Sequence, residues 1–387
     1  MELTRAGFVV KDAIELPAAG AIVQARAERR DEYVVHVTAD MATAYARLSE
    51  LIAGRSVAVL TDETVEALYG STLLRHLRAA GADPILHAVP PGEPSKSLDQ
   101  ACALWDWLAG SDLERRDVLV TFGGGVIADL GGWVASAYMR GLPYVNVPTT
   151  LLAQVDGALG GKVAVNHSTA KNLLGAFHQP DGVVANVGFL RSTSSRHLRA
   201  GLAEAIKKAV IASPEYWEFI DANAEAILSR DAVALERLVG SAAAIKTALI
   251  QRDPYEADLR RPLNFGHTVG HPVETITGYG TVLHGEAVAF GMVVETRISA
   301  ARGWAEPGLV ESLESLLRRC RLPVHAADLR GRVDGGALVA AMEKVRQIRD
   351  GSLRYVLPVE LGETVIADDV TEAELAAALG SVGVPCR

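Results

Sequence analysis

Residues 118–141 read VLVTFGGGVIADLGGWVASAYMRG, and this stretch decides the class of fold. A β-branched run of strand length meets three consecutive glycines, and a helical pattern follows at once. Gly123, Gly124 and Gly125 allow the backbone to approach a pyrophosphate, whose charge suits the N-terminus of the next helix. Asp129 falls on that helix's first turns. The pattern is not GxGxxG, so the ordinary dinucleotide fingerprint is absent. Taken alone, GGG after a strand is equally well read as a tight packing turn.

The flanking segments carry the same alternation upstream. SVAVLTD (56–62) has the composition of a buried strand, and a helical pattern over 63–81 follows it. PILHAVP (84–90) is a second strand, SLDQACALWDWLAGS (97–111) a second helix, and residues 117–125 the third strand with its glycines. RDEYVVHVTAD (30–40) alternates well enough to be a separate strand at a sheet edge. Strand–helix–strand alternation at this spacing predicts a parallel, helix-flanked sheet. From about residue 186 the chain becomes helical, over 196–228, 233–251 and 284–302. The HQPDG turn at 178–182 is the expected hinge. Two domains follow: an α/β Rossmann-like domain at 1–185 and an all-α domain at 186–387, with a short hairpin at 353–370 and a capped helix at 371–382.

Composition limits the partners. At 387 residues with 49% hydrophobic and 22% charged side chains, the chain has enough apolar mass for two ordinary domains sharing a cleft. A net charge of −9 excludes nucleic acid as the main partner, although local basic clusters can hold a small anion. The three scattered cysteines, Cys102, Cys320 and Cys386, make neither a disulfide framework nor a thiolate metal site, which suits a reducing compartment. No signal peptide or membrane span is evident, so a cytoplasmic location without membrane partners is expected.

Three further segments bear chemistry. In VPTTLLAQVDGALGGKVAVNHSTAKNLLGAFHQP (147–180), Thr149, Thr150, Asp156, Lys162, Asn166, Lys171 and Asn172 lie among glycines. Lysines and glycine amides suit a phosphate, and Asp156 suits sugar hydroxyls; a solvated loop is the plainer reading. GLAEAIKKAVI (201–211) puts Glu204 and Lys207 on one helical face, for which an exposed salt bridge is the ordinary explanation. LNFGHTVGHPVE (263–274) supplies His267 and His271, and LHGEAVAFGM (283–292) supplies His284. A single histidine on an apolar helix is more often a packed core residue than a ligand. One carboxylate and two imidazoles on separate helices nevertheless suit zinc with a position open for substrate. The HxxxH spacing also suggests a zinc protease, but Thr268 stands where the HExxH glutamate belongs.

In this order, over most of the chain, these motifs resemble the sugar-phosphate cyclases related to 3-dehydroquinate synthase. The resemblance implies a dehydroquinate synthase-like fold, an NAD-binding domain, one divalent metal ion (Zn2+ or Co2+), a small phosphorylated sugar as substrate, and a homodimer. By position it implies Glu204, His267 and His284 as metal ligands. It places Asp62, Glu93, Lys96, Gly123, Gly124, Gly125, Asp129, Thr149 and Thr150 at NAD. Asp156, Lys162, Lys171, Asn172, Lys207, Asn264 and His271 fall on substrate positions, and Arg140 on a phosphate contact across the dimer. The implied reaction oxidises an alcohol, eliminates phosphate, returns the hydride and closes a carbocycle by aldol attack, with no net redox change.

The substrate signals point two ways. Lys246 and Arg260 match positions that hold a substrate carboxylate in dehydroquinate synthases, and Asn264 and His271 follow the same pattern. The tail RDGSLRYVLPVELGETVIADDVTEAEL (349–375) and the N-terminal extension instead resemble sedoheptulose 7-phosphate cyclases. Arg346 and Gln347 stand where a lysine pair is usual, so Arg346 keeps the charge of a phosphate contact but not its shape. The balance favours sedoheptulose 7-phosphate and an epi-valiolone-type product in specialised metabolism. Dehydroquinate or aminodehydroquinate synthesis is the alternative. A metal-dependent alcohol dehydrogenase and a non-catalytic binding protein on the same fold are the readings from other classes.

Overall fold

The computed structural model describes residues 31–168, 170–256, 261–278, 280–348 and 353–385, without the side chains of 345–348. Residues from Tyr33 onward form one compact unit. Its first part runs β1 (Val34–Thr38), α1 (Met41–Ile52), β2 (Val57–Asp62), α2 (Glu63–Val65), α3 (Ser71–Ala79), β3 (Ile85–Val89), α4 (Leu98–Gly110), β4 (Val118–Gly123), α5 (Gly125–Ala137) and β5 (Tyr144–Pro148). A hairpin of β6 (Lys162–His167) and β7 (Ala170–Phe177) follows, then β8 (Gly182–Asn186).

Six strands pair in parallel in the order β1-β8-β5-β4-β2-β3. The central strands are apolar on both faces because helices cover both. Val57, Val59, Val118 and Val120 pack with α1 and α3, while Ala58, Leu60 and Leu119 pack with α4 and α5. From β2 the chain moves outward to β3; from β4 it moves the other way to β5. A crevice therefore opens between the carboxyl ends of β2 and β4, where such sheets bind ligands. Asp62 and Gly123 end those two strands.

The second part is helical: α6 (Ser195–Ala212), α7 (Pro214–Leu228), α8 (Ala232–Arg252), α9 (His267–Thr277), α10 (His284–Ala301), α11 (Leu309–Arg319) and α12 (Gly335–Ile348). The hairpin β9 (Tyr355–Glu360) with β10 (Glu363–Ala367) and the helix α13 (Glu372–Ser381) close the chain. Thr371 and Glu374 form the capping box expected at the start of α13. α6 and α10 lie at the centre of this core, with thirteen buried residues each. Among the described residues, no helix is long and apolar enough to cross a membrane.

Two local expectations change and a third is refined. The HQPDG turn lies inside the α/β layer, because β8 follows it and pairs with both β1 and β5. The polar segment after β5 is a hairpin rather than a loop. Val163 and Val165 are buried with α5 residues, and Lys162 and Asn166 on either side hide that short apolar run from a sequence pattern. The helix read over 63–81 is continuous from Glu63 to Ala79, with one wide turn at Glu66–Gly70.

Candidate active site

Helix–helix contact at backbone distance gathers the candidate metal ligands. A Cβ on Gly285 of α10 would overlap the Ala200 carbonyl of α6, and one on Gly291 would overlap the carbonyl of Gly266, which precedes α9. Only glycine permits these approaches. They bring Glu204 of α6 to the first residues of α9 and α10, His267 and His284. His267 Nε2 lies 3.6 Å from Glu204 Oε1, and His284 Nε2 lies 3.5 Å from the same oxygen. On the far side of each ring, His267 Nδ1–H donates to the Phe265 carbonyl at 3.0 Å, and His284 Nδ1–H to Glu274 Oε2 at 2.9 Å. Those bonds turn both Nε2 atoms toward Glu204, as in metal centres whose outer partners fix the imidazole.

Glu204 and Lys207 are buried, at 1% and 2% exposure, so the exposed salt bridge expected of this pair is not what forms. Neither Glu204 oxygen receives a well-aligned hydrogen bond, although Lys207 Nζ lies 2.5 Å from Oε2. Burial alone would raise this carboxyl; the adjacent Lys207 and its neighbours hold it well below the usual range. Burial and Lys207 push His267 well below the ordinary imidazole value. An ionised carboxylate with unfilled lone pairs, facing a neutral imidazole, fits a divalent cation. The His267, His271 and His284 nitrogens also lie within 4.8 Å of one another, so His271 is within reach of the same point, but its side chain is exposed.

A second cluster stands beside the first. Asp156, in the wide turn Ala153–Gly157, accepts from Lys208 Nζ at 2.7 Å and lies 3.0 Å from Lys246 Nζ. Lys246 Nζ also donates to the Asp156 carbonyl at 2.7 Å. Burial opposes charge on Asp156, but Lys208, Lys246 and Lys207 hold its carboxyl well below normal. Burial brings Lys246 down to about 8.

The third group lies at the sheet's carboxyl end. Gly124 caps α5 beside the Thr150 side chain, and Gly123 accepts from the Thr149 amide at 2.9 Å. The space a Gly125 side chain would take is open to 4 Å, which leaves room for a ligand over the α5 N-terminus. Lys96 Nζ pairs with Asp129 Oδ2 at 2.5 Å, and Glu93 Oε1 accepts from Asn166 Nδ2 at 2.8 Å. Asp62 caps α2 through the amides of Thr64 and Val65. Lys171 links this group to the metal cluster, 3.8 Å from Glu93 and 3.4 Å from Glu274.

The remaining candidates are more open. Lys162 pairs with Glu256 and is 44% exposed. Asn172 is exposed with a left-handed backbone, φ 56°, as is Arg140, φ 66°. Half-buried Asn264 ends the turn Arg261–Asn264 just ahead of His267. Arg260 and the side chain of Arg346 lie outside the described residues. Sequence reasoning missed Lys208 and Glu274. Both carried a periodicity signal: Lys208 lies four residues after Glu204, and Glu274 lies seven after His267 on the same helix.

A glycine turn at the end of a parallel sheet, with Lys171 reaching from Glu93 near it to Glu274 behind a buried carboxylate–imidazole cluster, is the arrangement expected of two-part enzymes that combine a nucleotide with a metal centre. The chain belongs to the 3-dehydroquinate synthase family: the family's N-terminal model matches residues 86–200 and its C-terminal model residues 201–347. It is 54% identical to a 2-epi-valiolone synthase of Actinosynnema mirum over 97% of this chain and 98% of that one. To a 3-dehydroquinate synthase of Desulforamulus reducens it is 41% identical, over 86% and 92% of the two chains. A 2-epi-5-epi-valiolone synthase of Streptomyces hygroscopicus subsp. jinggangensis, solved with NAD+ and Zn2+ bound, superposes with a TM-score of 0.85 at 28% identity, over 93% of this chain and 99% of that one.

Proposed function

We propose that this chain is an NAD- and divalent-metal-dependent sugar-phosphate cyclase, a carbon–oxygen lyase without net redox change, that converts sedoheptulose 7-phosphate to an epi-valiolone-type carbocycle. The observation that carries the chemistry is the buried, ionised Glu204, whose Oε1 has no hydrogen-bond donor and faces His267 and His284. The substrate assignment is supported by 54% identity to the epi-valiolone synthase against 41% to the dehydroquinate synthase.

When bound, NAD supplies a reversible hydride acceptor and the metal, Zn2+ or Co2+, supplies Lewis acidity at the alcohol. Glu204, His267 and His284 would hold the metal. Gly123, Gly124, Gly125, Thr149 and Thr150 would receive the NAD pyrophosphate side, and Asp62, Glu93, Lys96 and Asp129 its sugar side. Lys162, Lys171, Asn172 and Arg346 bind the substrate phosphate, joined by Arg140 of a second copy in a homodimer. Lys207 Nζ, lowered by burial, orients a hydroxyl beside Glu204, and Asn264 and His271 hold the sugar from the α9 side. In this division of labour residues 1–185 serve the nucleotide and supply most of the substrate phosphate contacts, and 186–387 serve the metal and the sugar.

Lys246 bears on the substrate. Its ammonium is satisfied by the Asp156 side chain and carbonyl, so its retention does not require a substrate carboxylate. Phosphate release with each purified sugar tests the reading. Turnover of sedoheptulose 7-phosphate, without NADH accumulation, is expected; turnover only of a carboxylated heptulosonate 7-phosphate would overturn the substrate assignment.

A further inference from the structure

A concentration of positive charge lies among residues that the candidate active site does not use. Arg196, Arg199, Arg318, Arg321 and Arg330 wall a cleft of about 410 Å3. The first two lie a turn apart at the start of α6, Arg318 lies in the last turn of α11, and Arg321 and Arg330 follow that helix. In a chain of net charge −9, five guanidiniums around one small cavity do not follow from composition.

Two of the five are engaged. Arg196 grips Glu286 through Nε at 2.7 Å and Nη2 at 2.6 Å, and Arg318 Nη1 donates to Glu314 Oε2 at 3.0 Å. Asp328, the cleft's other carboxylate, caps the turn after α11 by accepting from the amides of Val324 and His325. Among the described residues, the ion pairs of the cleft's arginines are those of Arg196 and Arg318. Against burial, Arg196 holds the Glu286 carboxyl below the usual range and Arg330 lies near enough to help; Arg199 and Arg321 remain.

Arg321 occupies a special backbone position. Its φ is 55°, in the left-handed region where a helix usually ends in glycine, and its amide bonds the Arg318 carbonyl at 2.9 Å. Glycine would make that turn more easily. Arginine there adds a guanidinium to the cleft wall and nothing to the turn.

We propose that this cleft binds the phosphoryl group of a small phosphorylated metabolite, with Arg199, Arg321 and Arg330 as its anion ligands. Five guanidiniums against the two carboxylates Glu286 and Asp328 leave the cleft net positive, which an anion relieves, and the guanidinium fork matches phosphate oxygens two at a time. A volume of 410 Å3 suits a molecule of sugar-phosphate size.

Glucose 6-phosphate, titrated calorimetrically into the full chain, is the probe. The comparison is with the double variant Arg199→Ala, Arg321→Gly, in which glycine relieves the left-handed turn while the charge is removed. The variant is expected to lose one binding event per chain, or to bind about tenfold or more weakly at it, with an unchanged circular dichroism spectrum. Added chloride is expected to weaken the same event in the wild type. If the double variant does not fold, single Arg321→Gly and Arg330→Ala chains carry the comparison. Identical stoichiometry and affinity in wild type and folded variant would overturn the proposal.

Discussion

Glu204, Lys207 and Lys208 sit inside a helical core whose backbones touch, whereas Lys162 and Asn172 project from the β6–β7 hairpin at the surface. Both regions are rich in charge, yet they hold it differently. In the core, Glu204 faces Lys207, His267 and His284, and glycine contacts hold the helices close together. On the hairpin, exposed Lys162 pairs with half-buried Glu256, which on the proposed function an incoming phosphate would replace. A metal centre needs its ligands held before the metal arrives, and burial provides that. A phosphate that must enter and leave is better served by charges still in water, whose desolvation cost is small.

Substitutions inside the core should have the largest effects. His267→Ala should lose the metal and with it turnover, while His271→Ala should keep the metal and lose about a hundredfold or more in kcat. Metal analysis of both purified variants decides this; equal metal loss would make His271 a ligand as well. Glu274→Gln weakens the acceptor behind His284 and should reduce metal affinity by about 10–100-fold, read by chelator competition. On the hairpin side, Lys162→Ala should cost about tenfold in kcat/KM, mostly through KM, because one charge-assisted contact to phosphate is lost. A comparable kcat loss at unchanged KM would put Lys162 in the chemistry and erase the contrast between the regions.

The smallest effect on turnover concerns Glu295. This buried side chain of α10 accepts the Gly266 amide at 2.9 Å, just before α9. Burial pushes its carboxyl up from 4.5 to about 8 despite several backbone amides that lower it. Between those values the folded chain keeps a proton that the unfolded chain has released, so Glu295 makes stability fall as pH rises through that window. Glu295→Gln should flatten the slope by up to about 1 kcal/mol per pH unit in denaturant titrations, with kcat unchanged. A slope unaffected by the substitution would show that Glu295 is ionised in the fold.

Periodicity made much of this legible in advance. The strands at β2, β3 and β4, the edge strand β1, the helices α6, α7, α8, α10 and α13 and the terminal hairpin stand where β-branched and amphipathic runs announced them, while α11 and α12 were not so announced. Local pattern failed where neighbours decide: the apolar residues of the β6–β7 hairpin come in runs, at 163–165 and 173–174, and do not alternate, and the HQPDG turn looks like a boundary until β8 is seen to pair on both sides.

The candidate site divides along the same line. Sequence alone determined its residue types: motif order brought Glu204, His267 and His284 under suspicion, and GGG after a strand left a packing turn and a nucleotide turn both open. Tertiary structure alone decided their environment. Glu204–Lys207 is a pair that solvent would make trivial, and only the packing of α6 against α10 shows it to be buried. Lys208 gains meaning from Asp156, fifty-two residues away, and Glu274 from the ring of His284. Spacing along a helix records which residues share a face, but burial and long-range charge pairing arise when distant segments exclude water together, and no local pattern encodes that.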